Sequence, residues 1–259
     1  MHFMGRLYMK TRVILSILLF SLNIGCSPTA DKGLDQVNTL MSAGKISDAI
    51  PAATKLIERY PADPRFYYLR GFCYLSLRSL SSAEADFEHC IKLDPKYYGG
   101  YKGMASLSAI QGRYDLAEKN FKTAYDLSTT NEQKSAILQN IAAMYSGEIK
   151  DQKKAIEFFN KSIKLNDLGD WHFGLALAYH RAGKKEKAMH IWTTAVNEKI
   201  FKNVYYKHAA YHQIASYYLE MKNYALAKDY IQKALMLDPN NKGYLKTHHE
   251  IHAHLESNK

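Results

Sequence analysis

Small residues recur along this chain at a nearly constant interval, and bulky apolar residues keep step with them. Ala49, Ala83, Ala117, Ala155, Ala188 and Ala227 are separated by 34, 34, 38, 33 and 39 residues. A second small series, Val37, Gly71, Ala105, Ala142, Ala176 and Ala215, runs ahead of the first. Phe87, Phe121, Phe159, Trp192 and Ile231 follow it at a fixed distance. Gly44, Gly112 and Gly183 lie between the two small positions, where a left-handed residue ends a helix at least cost. Leu-Asp-Pro at 93–95 and 237–239 marks helix ends, because proline cannot continue a helix. The pattern predicts helices that pack closely on one another. Small residues sit where helix axes approach to about 8–10 Å, and the bulky ones fill the groove between them.

This register resembles the tetratricopeptide repeat, a helix hairpin of 34 residues, over roughly residues 31–241. The resemblance implies an all-α, right-handed superhelical solenoid of about six hairpins. It spans residues 33–241, followed by a capping helix over 242–259. Departures from the pattern carry their own expectations. Pro51 and Ala53 make the first unit a degenerate, capping repeat. The 38-residue interval holds Ser128–Lys134, a polar loop or an extended inter-repeat turn. The 39-residue interval holds Ile200, Phe201, Val204, Tyr205 and Tyr206, too apolar for a plain loop, so it extends a helix or docks on the array. Past Pro239, apolar Leu245, Ile251 and Leu255 within Lys242–Glu256 read as the terminal helix that covers a solenoid's last apolar face.

The N-terminus reads as an address. Arg6, Lys10 and Arg12 precede a 12-residue apolar run, Val13–Ile24, shorter than the roughly 20 residues a membrane-spanning helix needs. Leu22-Asn23-Ile24-Gly25-Cys26 resembles the lipobox of bacterial lipoproteins, with Asn23 standing where that family prefers Leu. The resemblance implies a signal peptide over 1–25, a lipidated Cys26, a tether over 26–32 and a periplasm-facing place on the outer membrane. A plain secretory signal or an uncleaved anchor would begin the same way.

Composition changes this picture little. Of 259 residues, 47% are apolar and 23% charged, which excludes a disordered or collagen-like chain. The formal charge is +10, and removing residues 1–25 leaves 32 Lys and Arg against 25 Asp and Glu, a net of +7. That surface favours anionic envelope polymers, lipid headgroups or an acidic protein. Nucleic acid is not an expected partner of an exported protein.

Candidate chemistry is sparse. His248 and His252 share a helix face, but the zinc-protease pattern His-Glu-x-x-His fails at Ala253, so no metal is assigned. Cys73 and Cys90 lie at different heights of one hairpin, too far apart to bridge, and read as core residues. No nucleophile, base and acid fall into register. The expectation is a non-enzymatic protein without a cofactor.

What remains is a binding surface. In tetratricopeptide arrays the first helix of each repeat lines a concave groove. The resemblance puts Arg65, Tyr68, Phe72 and Leu75 there in repeat two, and Lys102, Ser106 and Ala109 in repeat three. Repeat four offers Gln139, Ala143 and Ser146; repeat five offers Asp170, Phe173, Leu177 and His180. Only Lys102 and Asn140 match the cluster with which some such proteins clamp a C-terminal carboxylate, so that clamp is not expected. An apolar floor of Tyr68, Phe72, Leu75, Phe173 and Leu177 suits an amphipathic or extended segment of a protein partner. Lipobox plus repeats is similar to pilotins of type IV pilus secretins and to assembly-type envelope lipoproteins. The expected role is a tethered adaptor for envelope proteins. The alternative is a protein that holds a glycan or anionic polymer on a basic, Tyr-rich surface.

Overall fold

The structure is a computed structural model that describes residues 28–257, apart from 168, 170 and 202. Cys26 and the apolar run before it lie outside the described residues. All regular structure among the described residues is helical. It comprises α1 (Pro28–Ser42), α2 (Ile46–Arg59), α3 (Pro64–Ser76), α4 (Leu80–Leu93), α5 (Tyr98–Ile110), α6 (Tyr114–Leu127) and α7 (Asn131–Met144). After these come α8 (Gln152–Leu165), α9 (Trp171–Arg181), α10 (Lys185–Asn197), α11 (Val204–Glu220), α12 (Tyr224–Leu237) and α13 (Lys242–Ser257). No described helix is long and apolar enough to cross a membrane. The chain forms two compact units, residues up to 103 and residues from 104 onward.

Each hairpin turns on one left-handed residue, five before the periodic alanine. These are Gly44, Arg78, Gly112, Lys150, Gly183 and Lys222, all with φ between 56° and 75°. In five of them two backbone bonds close the helix end in the same way. At Gly44, for example, its N–H donates to Met41 C=O at 3.0 Å and that of Lys45 to Leu40 C=O at 2.9 Å. Only three of the six are glycine, so the sequence signal marked half of the turns. Non-glycine residues in this region carry about 1–2 kcal/mol of steric strain. Arg78→Gly and Lys222→Gly are each expected to raise stability by roughly 0.5–1 kcal/mol, after the entropy lost by a more flexible unfolded chain. Urea melts check this, and a lower midpoint in both variants would refute it.

In the first unit Val37, Ala49, Ala53, Leu69 and Cys73 form a core, with Leu34, Ile50 and Leu56 packed against it. Pro51 is accommodated inside α2 with the loss of one backbone bond. Ala53, in the slot where later repeats carry an aromatic or Ile231, is fully buried. Phe87 is fully buried between two glycines: a Cβ on Gly71 would lie 2.7 Å from its ring and one on Gly103 2.4 Å. Cys73 and Cys90 are buried free thiols, which burial pushes up to about 11 and about 12.

The second unit repeats this device, with Phe159 against Gly174, whose Cβ would approach the ring to 2.5 Å. Its irregular intervals resolve into two kinds of insertion. The polar stretch at 128–134 is only partly loop. Thr130 caps α7 by accepting from Gln133 N–H at 3.2 Å, while the Gln133 side chain accepts from Thr130 N–H at 3.3 Å, so the helix starts at Asn131. The remaining extra residue lies within the hairpin, where the two small positions Ala142 and Ala155 are one residue further apart than elsewhere. A π-helical turn, Tyr145–Ile149, absorbs it.

The apolar insertion at 198–206 both docks and extends a helix. Phe201 is buried with Trp192, Val196, Ala210 and Ile214, with Ile200 and Tyr206 packed on them, and α11 begins at Val204. Gly169 is buried against this segment, so closely that a Cβ there would lie 2.1 Å from the Ile200 carbonyl oxygen. In α13, Tyr244 and Ile251 are buried with Ala227, Ile231 and Ala234. Leu245, read from the sequence as part of the covering face, points outward at 38% exposure; its neighbour Tyr244 takes the buried place.

Candidate partner-binding site

In the first unit α3 presents the predicted side chains. Asp63 caps it, accepting from Arg65 N–H at 3.0 Å, and Pro64 supplies a first-turn residue that needs no donor. Arg65 is held by a two-pronged pair to Asp63, Nε to Oδ1 at 3.0 Å and Nη2 to Oδ2 at 2.6 Å, and by Nη1 to Asp31 Oδ1 at 3.0 Å. One turn further, Tyr68 is half-buried, with ring centroids 6.3 Å from Phe72 and Phe87 and 6.2 Å from Tyr97. Lys102 Nζ lies 5.6 Å from the Tyr68 ring. The Tyr68 phenol, as charge partner and hydrogen-bond partner, holds the Lys102 ammonium above its ordinary value, against burial. Burial pushes the Tyr97 phenol far above its usual range. Tyr97 had no place in the repeat register, and only the chain entering α5 brings it here. Phe72 is half-buried like Tyr68, whereas Leu75 is 5% exposed and belongs to the core.

In the second unit Phe173, Leu177 and His180 lie along α9, each half-buried. Phe173 and His180 roof Trp192 at 6.3 and 5.8 Å, and Tyr206 closes the other side of Phe173 at 5.6 Å. Trp192 is 1% exposed, and its indole N–H meets no acceptor among the described residues. Tyr179, Lys187, His190 and Ile191 of α9 and α10 line an open depression of about 230 Å³, which sequence reasoning did not identify. Asp170 lies outside the described residues, and Ser106 is half-buried on α5.

Gln139 and Ser146 face inward. Gln139 is 8% exposed, and its Nε2 donates to Ser162 Oγ at 2.9 Å. Ser162 donates to Ser135 C=O at 2.9 Å, and Ser135 lies 2.8 Å from Ser162 Oγ. Ser162 occupies the small-residue position held by Cys90, Ala124, Ala195 and Ala234 elsewhere. Its buried hydroxyl needs partners, and Gln139 turns in to supply one. Ser146 accepts from Arg181 Nη1 at 3.0 Å and donates to Gln152 at 2.9 Å, and so ties the π-turn to α9. Beside it the Tyr145 hydroxyl donates to Glu118, its ring stacks on Phe158 at 5.7 Å, and Lys154 Nζ lies 4.7 Å from its centroid. Ala109 is buried and Ala143 exposed. No cluster of three or more metal-ligating side chains occurs among the described residues.

These hairpins, with small residues at their crossings and side chains presented from their first helices, define a helical-repeat protein. Sequence models of the tetratricopeptide repeat match residues 34–98, 100–167 and 208–241, more than half of the chain, which is therefore built of tetratricopeptide repeats. The hairpin α9–α10 falls between the matched segments. Over 107 residues the chain is 34% identical to heat shock protein STI1 of Saccharomyces cerevisiae, covering 41% of this chain and 18% of that protein. It thus spans about a fifth of the length of the curated relatives it matches. The structure is similar to the APC/C hetero-tetramer Cut9-Hcn1, with a TM-score of 0.66 and 19% identity over 84% of this chain and 42% of that one. It is also similar to Pseudomonas aeruginosa pilF, with a TM-score of 0.56 and 15% identity over 86% and 96%. At these identities the two structures share the fold.

Proposed function

We propose that this protein is a non-enzymatic adaptor that binds a protein partner through the first helices of its repeats, and that an acylated Cys26 tethers it to the bacterial envelope, on the periplasmic side of the outer membrane. The partner-binding reading rests chiefly on Tyr68, Phe72, Phe173 and Leu177. These large apolar side chains stand half-exposed on first helices, while their counterparts on the second helices, Phe87, Phe121 and Trp192, are buried. Partially exposed aromatics on a rigid scaffold cost little entropy to dock and are preferred anchors. Chaperone-associated relatives such as heat shock protein STI1 agree with a partner of protein chemistry.

Photo-crosslinking from position 72 in the native envelope, with capture by the intact chain, tests the reading. Tyr68→Ala with Phe72→Ala is expected to weaken capture roughly tenfold or more while leaving the helical content unchanged. Undiminished capture would refute the α3 site. The tether is tested separately, since Cys26→Ala should move the protein from the membrane to the soluble fraction. Lysines stacked on tyrosines, such as Lys233 over Tyr230 at 4.7 Å and Lys187 over Tyr179 at 5.9 Å, favour the polymer-binding alternative. That reading predicts salt-sensitive retention on cell-wall material, unaffected by the α3 substitutions.

A further inference from the structure

Histidines hold the C-terminal helix to its neighbours. His208 Nδ1 lies 2.8 Å from the Tyr244 hydroxyl, and His212 Nε2 lies 3.0 Å from the Thr247 hydroxyl. Two rings one turn apart on α11 thus grip two residues one turn apart on α13. The Tyr244 ring packs on both, at 5.6 Å from His208 and 4.7 Å from His212. On α13 itself His248 lies 4.7 Å from His252 and 6.1 Å from His249, and His254 stacks on Tyr224 of α12 at 4.8 Å. Six of the chain's eleven histidines therefore gather in one layer of three helices.

We propose that α13 is an acid-released cap: protonation of this histidine cluster undocks the helix from α11 and α12 and bares the apolar end of the last hairpin, around Ala227, Ile231 and Ala234.

The physical basis is that His208, His212 and His248 are buried or half-buried in the docked layer, where a positive charge is disfavoured. His208 is 8% exposed. A protonated His208 could still donate to the Tyr244 oxygen, so the hydrogen bond survives protonation and burial is what opposes the charge. Burial holds His208 below its ordinary value, while Asp238 pulls the other way and weakens the effect. Tyr205 adds an edge contact at 5.3 Å and no charge. Burial also lowers His212. His248 is lowered by burial, then by His252, His249 and the Lys228 ammonium of α12. The remaining ionisable groups of α13, Lys242, Lys246, Glu250 and Glu256, are exposed.

The docked state therefore binds these protons less tightly than the released one. Docking is at full strength above the ordinary histidine value of about 6.5 and weakens as pH falls below it. At neutral pH, Ile251, Tyr244 and the partly buried Leu255 keep the helix in place. Once released, a single helix of this length is marginal in water and opens to proteolysis.

Limited digestion of the full chain with an acid-tolerant protease, at pH 7.5 and pH 5 and normalised to an unfolded substrate, tests the proposal. Cleavage mapped by mass spectrometry should rise several-fold within residues 239–257 at pH 5, while α9 and α10 stay protected. His208→Asn with His212→Gln replaces each bonding nitrogen by a non-titrating amide and should flatten the response. Equal cleavage at the two pH values, or full acid sensitivity in these variants, would overturn it. If the double variant is already cleaved at pH 7.5, His248→Gln decides, since it keeps the His208 and His212 bonds in place while removing a titrating ring that faces Lys228 of α12. A reduced acid response in His248→Gln supports the switch, and an unchanged one refutes it.

Discussion

Phe87→Ala is expected to lower stability by about 3–5 kcal/mol, the upper range for a deleted core aromatic. The reason lies in what surrounds the ring. Most core cavities shrink because neighbouring side chains swing inward, but Phe87 lies against Gly71 and Gly103, which have no side chain to move. On those two sides, filling the space would require the backbones of α3 and α5 to shift, which leaves the Tyr68 ring at 6.3 Å as a partial filler. Against a typical total of about 5–15 kcal/mol, such a loss is large. The same geometry makes a second, opposite expectation. Gly103→Ala should destabilise the parent protein, because the new Cβ would meet the Phe87 ring at 2.4 Å. In the Phe87→Ala background it should be neutral or stabilising, because the clash is gone and alanine is the better helix former by about 1 kcal/mol. Urea melts of the four proteins in this cycle decide the matter. If Gly103→Ala costs as much without the ring as with it, the glycines are not there to admit Phe87.

Arg70→Ala is expected to cost a comparable amount, about 3–5 kcal/mol, for an electrostatic reason. Asp86 is 5% exposed on α4, and Arg70 of α3 reaches it with two bonds, Nε to Oδ2 at 2.9 Å and Nη2 to Oδ1 at 2.7 Å. The guanidinium also donates to Thr54 Oγ1 at 3.3 Å and lies 5.9 Å from the rings of Tyr67 and Tyr74. Its hydrogen bond to Asp86 raises the proton affinity of the guanidinium further, against burial. Removing the arginine strands a carboxylate away from water. Removing both charges does not, so Arg70→Met with Asp86→Leu should recover most of the loss. Thermal melts of the single and double variants measure this. A double variant no more stable than Arg70→Ala would mean that the attraction, rather than the stranded charge, dominates.

The repeat register was legible because helix-helix crossings impose it. Axes that approach closely accept only small residues, so Ala49, Ala83, Ala117, Ala155, Ala188 and Ala227 stand out in any reading of the chain, and all six are fully buried. The turns were half legible, since glycine announces a left-handed position and Arg78, Lys150 and Lys222 do not. The π-turn at Tyr145–Ile149 was half legible: the 13 residues from Ala142 to Ala155, against 12 in the other hairpins, locate the extra residue but not the backbone form that absorbs it.

The surface was less legible than the core. Position within a repeat predicts which helix face a residue occupies, and that suffices for Tyr68, Phe72, Phe173, Leu177 and His180 to remain half-exposed on first helices. It fails for Gln139, which bonds to a hydroxyl 23 residues away because Ser162 fills a slot where its counterparts are Cys or Ala. It fails also for Leu75, buried near the end of α3, and for Tyr97, placed by a link outside the register.

From its sequence alone, this chain was legible as helix hairpins, because its recurring small and bulky residues, spaced 33 to 39 apart, match the register of the tetratricopeptide repeat. Partnerships between helices were decided by the tertiary structure: Arg70 with Asp86 inside one hairpin, Phe87 between two glycines, Phe201 in the core around Trp192, and His208 and His212 against Tyr244. Spacing encodes local geometry because a helix repeats every 3.6 residues. Contacts between hairpins depend on how whole side chains share one volume, and no single interval along the chain records that.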